Sequence, residues 1–145
     1  MTRIDFYRYA EDKLRFACRL AAIAFERSSR LVVYSADSAV LEGFDRQLWT
    51  FSATRFVPHC FAAAAVAPET PIILSTSGDG LPHHDVLLNL DDAWPPFFAS
   101  FERLLEIVTT DEADKEKARA RYSFYVKRGY DIKVNAIEGE RRKGE

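Results

Sequence analysis

Short, continuously apolar runs alternate with helical stretches along this chain, and the alternation limits what it can fold into. The runs cover residues 31–34, 71–75 and 85–90. Apolar runs without polar alternation are typical of parallel strands that are covered on both faces. Since strands and helices alternate through much of the chain, the sequence predicts a doubly wound α/β fold, with a mostly parallel sheet and helices on both faces.

The other predicted elements come from the spacing of apolar residues and from turn residues. In chain order they are a strand over 3–9, a helix over 10–27, a helix over 38–48, an edge or irregular strand over 56–59, a helix over 94–108, a helix over 110–127 and a strand over 130–134. The helix over 94–108 is predicted because Pro95 and Pro96 suit a helix start and apolar residues follow at helical spacing. Gly129 predicts the end of the preceding helix.

Length and composition indicate one soluble globular domain. The chain has 145 residues, 48% of them hydrophobic and 29% charged, which is enough to bury one core. We expect the domain over residues 1–136 and a charged, frayed tail over 137–145. A formal charge of −2 gives no global attraction to nucleic acid or an anionic membrane. Without a membrane-spanning run or a signal peptide, we expect a cytoplasmic protein.

The sequence lacks the motifs of common α/β enzymes and cofactor sites. No glycines follow the first predicted strand, where a dinucleotide would need them, and no phosphate-binding loop or nucleophile elbow occurs. The neighbours His83 and His84 point in different directions on a strand or turn, so they predict no metal site. We therefore expect no cofactor and no catalytic residue. Cys18 lies in an apolar helical run and is predicted to be a core residue.

Asp91 and Asp92 leave an alternative from another class open. They follow an apolar strand, at the end where α/β folds often carry their sites. With the histidines, they could form the carboxylate and histidine site of a small α/β enzyme. The commoner role of such a pair is to cap the element that follows.

Large apolar side chains are concentrated in residues 48–59, a stretch predicted to be loop-like. Trp49, Phe51, Phe56 and Val57 lie there, without a carboxylate or a serine in a strained turn. Apolar groups in such a place predict a surface that binds another protein. The alternative is that some of these rings belong to the core.

The last predicted helix combines cations with tyrosines. Lys115 and Arg119 are one turn apart, and Tyr122 follows three residues later along the same face. Cations beside a partly exposed ring can hold an acidic peptide with an apolar anchor. The alternative is a solvated charged face, because acidic residues of the same helix offset much of its positive charge.

Taken together, these segments resemble the chi subunit of bacterial DNA polymerase III, an accessory protein of the clamp-loader complex. The resemblance extends over nearly the whole chain, up to about residue 134. It is carried by Ile4-Asp5-Phe6-Tyr7, Leu48-Trp49, Phe56-Val57-Pro58-His59, Asp85-Val86-Leu87-Leu88-Asn89-Leu90, residues 97–101 and Ala118-Arg119-Ala120-Arg121-Tyr122. The combination is fairly specific, whereas each part alone is weak.

The resemblance implies a Rossmann-like fold without nucleotide binding or catalysis, acting as an adaptor in DNA replication. One implied partner is the psi subunit, which links to the clamp loader. Trp49 and Phe56 fall in the region that faces psi, with Phe51 beside them. Many bacteria with a chi-like protein lack a recognisable psi, so residues 48–59 could instead bind the clamp loader directly or a repair helicase.

The second implied partner is the acidic C-terminal tail of single-stranded DNA-binding protein, which ends in an apolar residue and a free carboxylate. Arg119 and Tyr122 match the tail-binding motif, with Lys115 and Val108 as expected members of its pocket. Capture of this tail would tether the polymerase assembly to protein-coated single-stranded DNA.

The sequence departs from the family pattern at one position of this motif. Relatives often carry a basic residue directly after the tyrosine, and here the residue is Ser123. The strength of tail binding therefore stays open, and Lys127 or Arg128 could restore part of it. Arg121 belongs to the same motif, although the helix could turn it away. Direct nucleic-acid binding by this helix is not expected, because its acidic residues and the lack of an aromatic platform argue against it.

Overall fold

Seven parallel strands form one sheet in the computed structural model, which describes residues 1–52 and 56–137. The elements are β1 (Arg3–Ala10), α1 (Lys13–Glu26), β2 (Leu31–Tyr34), α2 (Ser38–Thr50), β3 (His59–Phe61), β4 (Ile72–Ser75), β5 (Val86–Asn89), β6 (Arg103–Thr109), α3 (Glu112–Lys127) and β7 (Ile132–Ala136). The strand order is β3-β4-β2-β5-β6-β1-β7, and all neighbours pair in parallel. The predicted doubly wound α/β fold is confirmed.

The sheet separates two hydrophobic layers. Phe16 of α1 and Phe44 of α2 lie in one layer, and Tyr125 of α3 lies in the other. All four residues of β2 are buried, as expected for a strand covered on both faces. Side chains of β1 alternate between the layers, with Phe6 on the α3 side and Tyr7 on the α1 side.

An aspartate caps the start of each α-helix in the described part of the chain. Asp12, Asp37 and Asp111 each accept a hydrogen bond from a backbone N–H of the first helical turn. The bond satisfies a donor that has no partner within the helix. Gly129 follows α3 with a φ of +81°, a conformation that glycine adopts without steric cost. The predicted end of that helix is confirmed.

The helix predicted over residues 94–108 is wrong. Those residues form a short 3-10 turn at Phe98–Ser100 and then strand β6. Leu104 and Leu105 are both buried, and they belong to opposite layers of the core. A short apolar run has the same appearance in a doubly covered strand and in a helix. Spacing alone therefore could not separate the two structures.

The strand predicted over residues 56–59 lies slightly later in the chain. Strand β3 covers His59–Phe61 and occupies one edge of the sheet. Its edge position confirms that part of the prediction, and Pro58 precedes the strand instead of interrupting it.

Cys18 is fully buried, and burial raises the pKa of its thiol to about 12. The prediction of a core cysteine is confirmed. No helix among residues 1–52 and 56–137 is both long and apolar enough to cross a membrane. The domain limits at residues 136 and 137 stay a prediction, and residues 138–145 of the expected tail lie outside the described residues.

Candidate functional site

One cavity lies between α3 and the strands beneath it, and it contains all four residues of the predicted tail pocket. Val108, Lys115, Arg119 and Tyr122 line this cavity, which has a volume of about 330 Å³. We call it the α3 pocket. Val108 comes from β6 and the other three from successive turns of α3. The structure therefore brings the four side chains together, and their role in binding stays a prediction.

The interior of the α3 pocket is apolar. Its apolar lining residues, apart from Tyr122, are Phe6, Val108, Ala118 and Val134. The ring of Tyr122 meets the ring of Phe6 edge to face, with centroids 5.5 Å apart, an arrangement that aromatic quadrupoles favour. Tyr122 keeps 40% of its surface exposed. The pocket can therefore accept an apolar side chain against an aromatic wall.

The rim of the α3 pocket is positively charged. Lys115 Nζ lies 3.3 Å from Glu112 Oε1, an exposed pair that leaves the ammonium partly neutralised. Arg119 is exposed and pairs with no carboxylate among the described residues. The lining includes no aspartate or glutamate from that part of the chain. An anion that carries an apolar group fits this combination of charge and shape.

A buried polar cluster sets the position of α3 on the sheet. Glu106 of β6 accepts hydrogen bonds from Arg121 Nε at 3.0 Å, from Tyr125 Oη at 2.6 Å and from Asn89 Nδ2 at 3.1 Å. Burial raises the pKa of Glu106, although Arg121 and the two neutral donors act in the opposite direction. Arg121 is almost completely buried. It points away from the α3 pocket, as the sequence suggested.

A second polar cluster holds the first turn of α3. Asp114 accepts hydrogen bonds from Lys13 Nζ at 2.8 Å, from the backbone N–H of Thr109 at 2.8 Å and from the Thr109 hydroxyl at 2.9 Å. Partial burial would raise the pKa of Asp114, but these hydrogen bonds outweigh it and the pKa is lowered. The ion pair joins α1 to α3 beside the pocket.

The predicted partner surface is split between exposed rings and core residues. Trp49 is 50% exposed and Phe56 is 62% exposed, and their ring centroids lie 5.4 Å apart. We call these two rings the Trp49 surface. In contrast, Val57 is buried, and Phe51 is half-buried against the core. Only some of the apolar residues of this segment are therefore available to a partner.

A buried histidine supports the Trp49 surface from below. The ring of His59 lies 4.3 Å from the ring of Trp49. Its Nδ1 atom lies 2.7 Å from the carbonyl oxygen of Val57, and its Nε2 atom lies 3.1 Å from Asp45 Oδ1. These contacts fix the plane against which Trp49 packs.

Asp91 and Asp92 lie apart from the histidines. Asp91 accepts hydrogen bonds from the Ser35 hydroxyl at 3.1 Å and from the backbone N–H of Ala36 at 3.0 Å, and Asp92 pairs with Lys117 at 3.0 Å. The aspartates follow the carboxyl end of β5, whereas residues 83–84 precede its amino end. The structure therefore does not assemble the carboxylate and histidine site of the enzyme alternative.

Several residues of the α3 pocket were missed by reasoning from the sequence. Phe6, Arg8, Tyr9, Thr109 and Val134 also line it. The aromatic alternation of residues 3–9 predicted a strand there, but it carried no signal for the neighbours of that strand. Strand order places β1 between β6 and β7, and only this order brings the residues of β1 and β7 to α3.

Comparison with known proteins gives consistent matches over most of the chain. The family model described as "DNA polymerase III chi subunit, HolC" matches residues 1–133. A curated protein from Pseudomonas aeruginosa, "DNA polymerase III subunit chi", is 33% identical over 141 residues, covering 94% of this chain and 98% of that protein. The protein of the same name from Haemophilus influenzae is 30% identical over 122 residues, covering 83% and 85%. The one from Escherichia coli is 24% identical over 119 residues, covering 81% of each.

Proposed function

The chain belongs to the DNA polymerase III chi subunit family, and from that premise we propose that it is a non-catalytic adaptor of the holoenzyme in DNA replication. It links the clamp-loader complex to single-stranded DNA-binding protein by capturing the acidic C-terminal tail of that protein. It acts in the cytoplasm, without a cofactor and without direct contact with nucleic acid or membrane.

The charge and shape of the α3 pocket are the observation that carries the tail-binding proposal. Arg119 lies at the edge of an apolar cavity. No carboxylate among the residues that the structure describes pairs with its guanidinium. A tail that ends in an apolar residue and a free carboxylate matches both features. The apolar side chain enters between Val108 and Tyr122, and the carboxylates meet Arg119 and Lys115.

The expected binding is weak and depends on salt. Exposed ion pairs contribute only about 0.2–1 kcal/mol each, and dissolved ions screen them. We therefore expect a dissociation constant on the order of micromolar, which rises with ionic strength.

The tail-binding proposal is tested by Arg119→Ala, with Arg15→Ala as the matched control. Arg15 is an exposed arginine of α1, on the opposite face of the sheet, so its loss changes the net charge equally. Calorimetry with a peptide of the tail sequence should detect no binding to Arg119→Ala and unchanged binding to Arg15→Ala. Unchanged affinity of a folded Arg119→Ala variant would overturn the proposal.

The Trp49 surface is the proposed docking site for the second partner. That partner is the psi subunit or the clamp loader itself, and a repair helicase could use the same face. In a pull-down, Phe56→Ala should lose the partner. Val66→Ala, which shortens another exposed apolar side chain, should retain it.

Two alternatives have less support. The enzyme alternative requires Asp91, Asp92 and the histidines to meet, and a turnover activity that is lost in Asp91→Asn/Asp92→Asn would favour it. Direct nucleic-acid binding requires a row of free cations along α3, and two cations of that row, Lys115 and Lys117, pair with carboxylates. Binding to bare single-stranded DNA as tight as binding to the protein-coated form would favour it.

A further inference from the structure

Strand β1 leaves its regular register beside the α3 pocket. Tyr7 pairs with Ile107 and Ala10 pairs with Thr109, so three steps along β1 correspond to two steps along β6. One extra residue is therefore inserted in β1, and residues 8 and 9 together lie opposite residue 108. Bulges of this kind redirect side chains and are frequent next to functional sites.

The bulge contains a residue in an unfavourable backbone conformation. Tyr9 has a φ of +74°, in the left-handed region that residues with a Cβ atom seldom adopt. Arg8 and Tyr9 both line the α3 pocket, although consecutive residues of a regular strand point to opposite faces. The strained residue therefore allows β1 to present two side chains where a regular strand presents one.

Arg8 is the cation on the β1 side of the α3 pocket. Its Cζ atom lies 4.5 Å from the centre of the Tyr9 ring, and such a contact orients a guanidinium without neutralising it. Arg8 is exposed, and no carboxylate of the described residues lies within ion-pairing distance of it. Arg119 provides a cation from α3. The pocket thus carries a positive charge on each of two walls.

We propose that Arg8 is a specificity-determining residue of the α3 pocket, and that its guanidinium pairs with a carboxylate of the bound tail from the side opposite to α3. This role rests on the proposed function, because it assigns a further contact to the same ligand. A tail with several acidic groups can engage cations on both walls, whereas a neutral tail with the same apolar end cannot. The second wall therefore selects acidic tails.

The test compares Arg8→Gln with Arg3→Gln in calorimetric titrations with the tail peptide. Arg3 is exposed near the other end of β1 and points to the opposite face, so both variants lose one charge from the same strand. We expect Arg8→Gln to weaken binding about fivefold, the upper end of the range for an exposed ion pair. Arg3→Gln should change it less than about twofold. Equal effects of the two variants would overturn the inference.

Modified peptides distinguish an ion pair from a loss of packing. One peptide carries a C-terminal amide, and a second carries amides in place of its acidic side chains. The loss of affinity caused by Arg8→Gln should disappear with one of the two peptides. The group that this peptide lacks is then the carboxylate that Arg8 contacts. A loss of the same size with both peptides would contradict ion pairing.

Arg119→Ala, measured in parallel, separates this inference from the proposed function. If Arg119→Ala abolishes binding while Arg8→Gln behaves as Arg3→Gln, the role of Arg8 fails and tail binding at the α3 pocket stands. If Arg119→Ala also binds normally, the proposed function fails, and the inference fails with it.

Discussion

The hydroxyl of Tyr125 donates a hydrogen bond to Glu106 Oε2 at 2.6 Å and thereby joins α3 to the middle of the sheet. Both residues are completely buried. Arg121, one turn earlier on α3, donates to the other oxygen of the same carboxylate at 3.0 Å. Two bonds from successive turns fix the rotation of the helix, and with it the direction of Arg119 and Tyr122 toward the α3 pocket.

Substituting both members of the buried pair of Arg121 and Glu106 should cost less stability than the two single substitutions added together. Arg121→Met leaves the Glu106 carboxylate buried without its cation, and we expect the free energy of unfolding to fall by about 3–5 kcal/mol. Arg121→Met/Glu106→Gln should lose less than the sum of the single variants, because no unpaired charge remains. Urea unfolding of all four proteins measures this coupling. Additive losses would contradict a paired role.

Asp114→Asn should loosen the start of α3 in a way that depends on pH. The pKa of Asp114 is lowered in the folded protein, so its stabilising effect is present above the ordinary value of 3.8 and is lost as the pH falls through the folded-state value. At neutral pH we expect the free energy of unfolding of Asp114→Asn to be about 1–2 kcal/mol lower than that of the wild type, as measured by urea unfolding. The difference from the wild type should shrink in acid. Glu112→Gln, at an exposed pair of the same turn, is the control.

His83 should make the fold sensitive to mild acid. Its ring is buried, and burial lowers its pKa below the ordinary value of 6.5, although Asp85 acts in the opposite direction. The unfolded chain therefore takes up the proton first, and stability that is complete above pH 6.5 declines as the pH falls toward the folded-state value. His83→Leu should reduce this decline in unfolding experiments between neutral and mildly acid pH. The same substitution at the exposed His84 should leave it unchanged.

Trp49→Ala should affect docking more than folding. The residue Trp49 itself is 50% exposed. The packing against His59 that the variant loses should therefore change the free energy of unfolding by only about 1 kcal/mol. A central exposed aromatic residue typically contributes about 2 kcal/mol or more to an interface. Partner binding by the variant should therefore fall by more than its stability. Leu48→Ala, which truncates a buried neighbour, should show a larger loss of stability.

Local patterns were sufficient for most of the fold. The apolar run of β2 indicated a doubly covered strand. The helix predicted from residue 38 begins at Ser38, and Gly129 marked the end of α3, as the structure confirms. The pattern failed at β6, because Leu104 and Leu105 fill opposite layers of the core. Burial on both faces removes the alternation that would separate a strand from a helix.

The sequence by itself determined most of the strands and helices, though not β6, and the row of Lys115, Arg119 and Tyr122 along α3, since these depend on residues near one another in the chain. Only the tertiary structure decided that β1 lies between β6 and β7 and that Arg8 shares a pocket with Arg119. Strand order and the bulge at Tyr9 arise from contacts between distant segments. Such contacts leave no periodic pattern in the residues that make them.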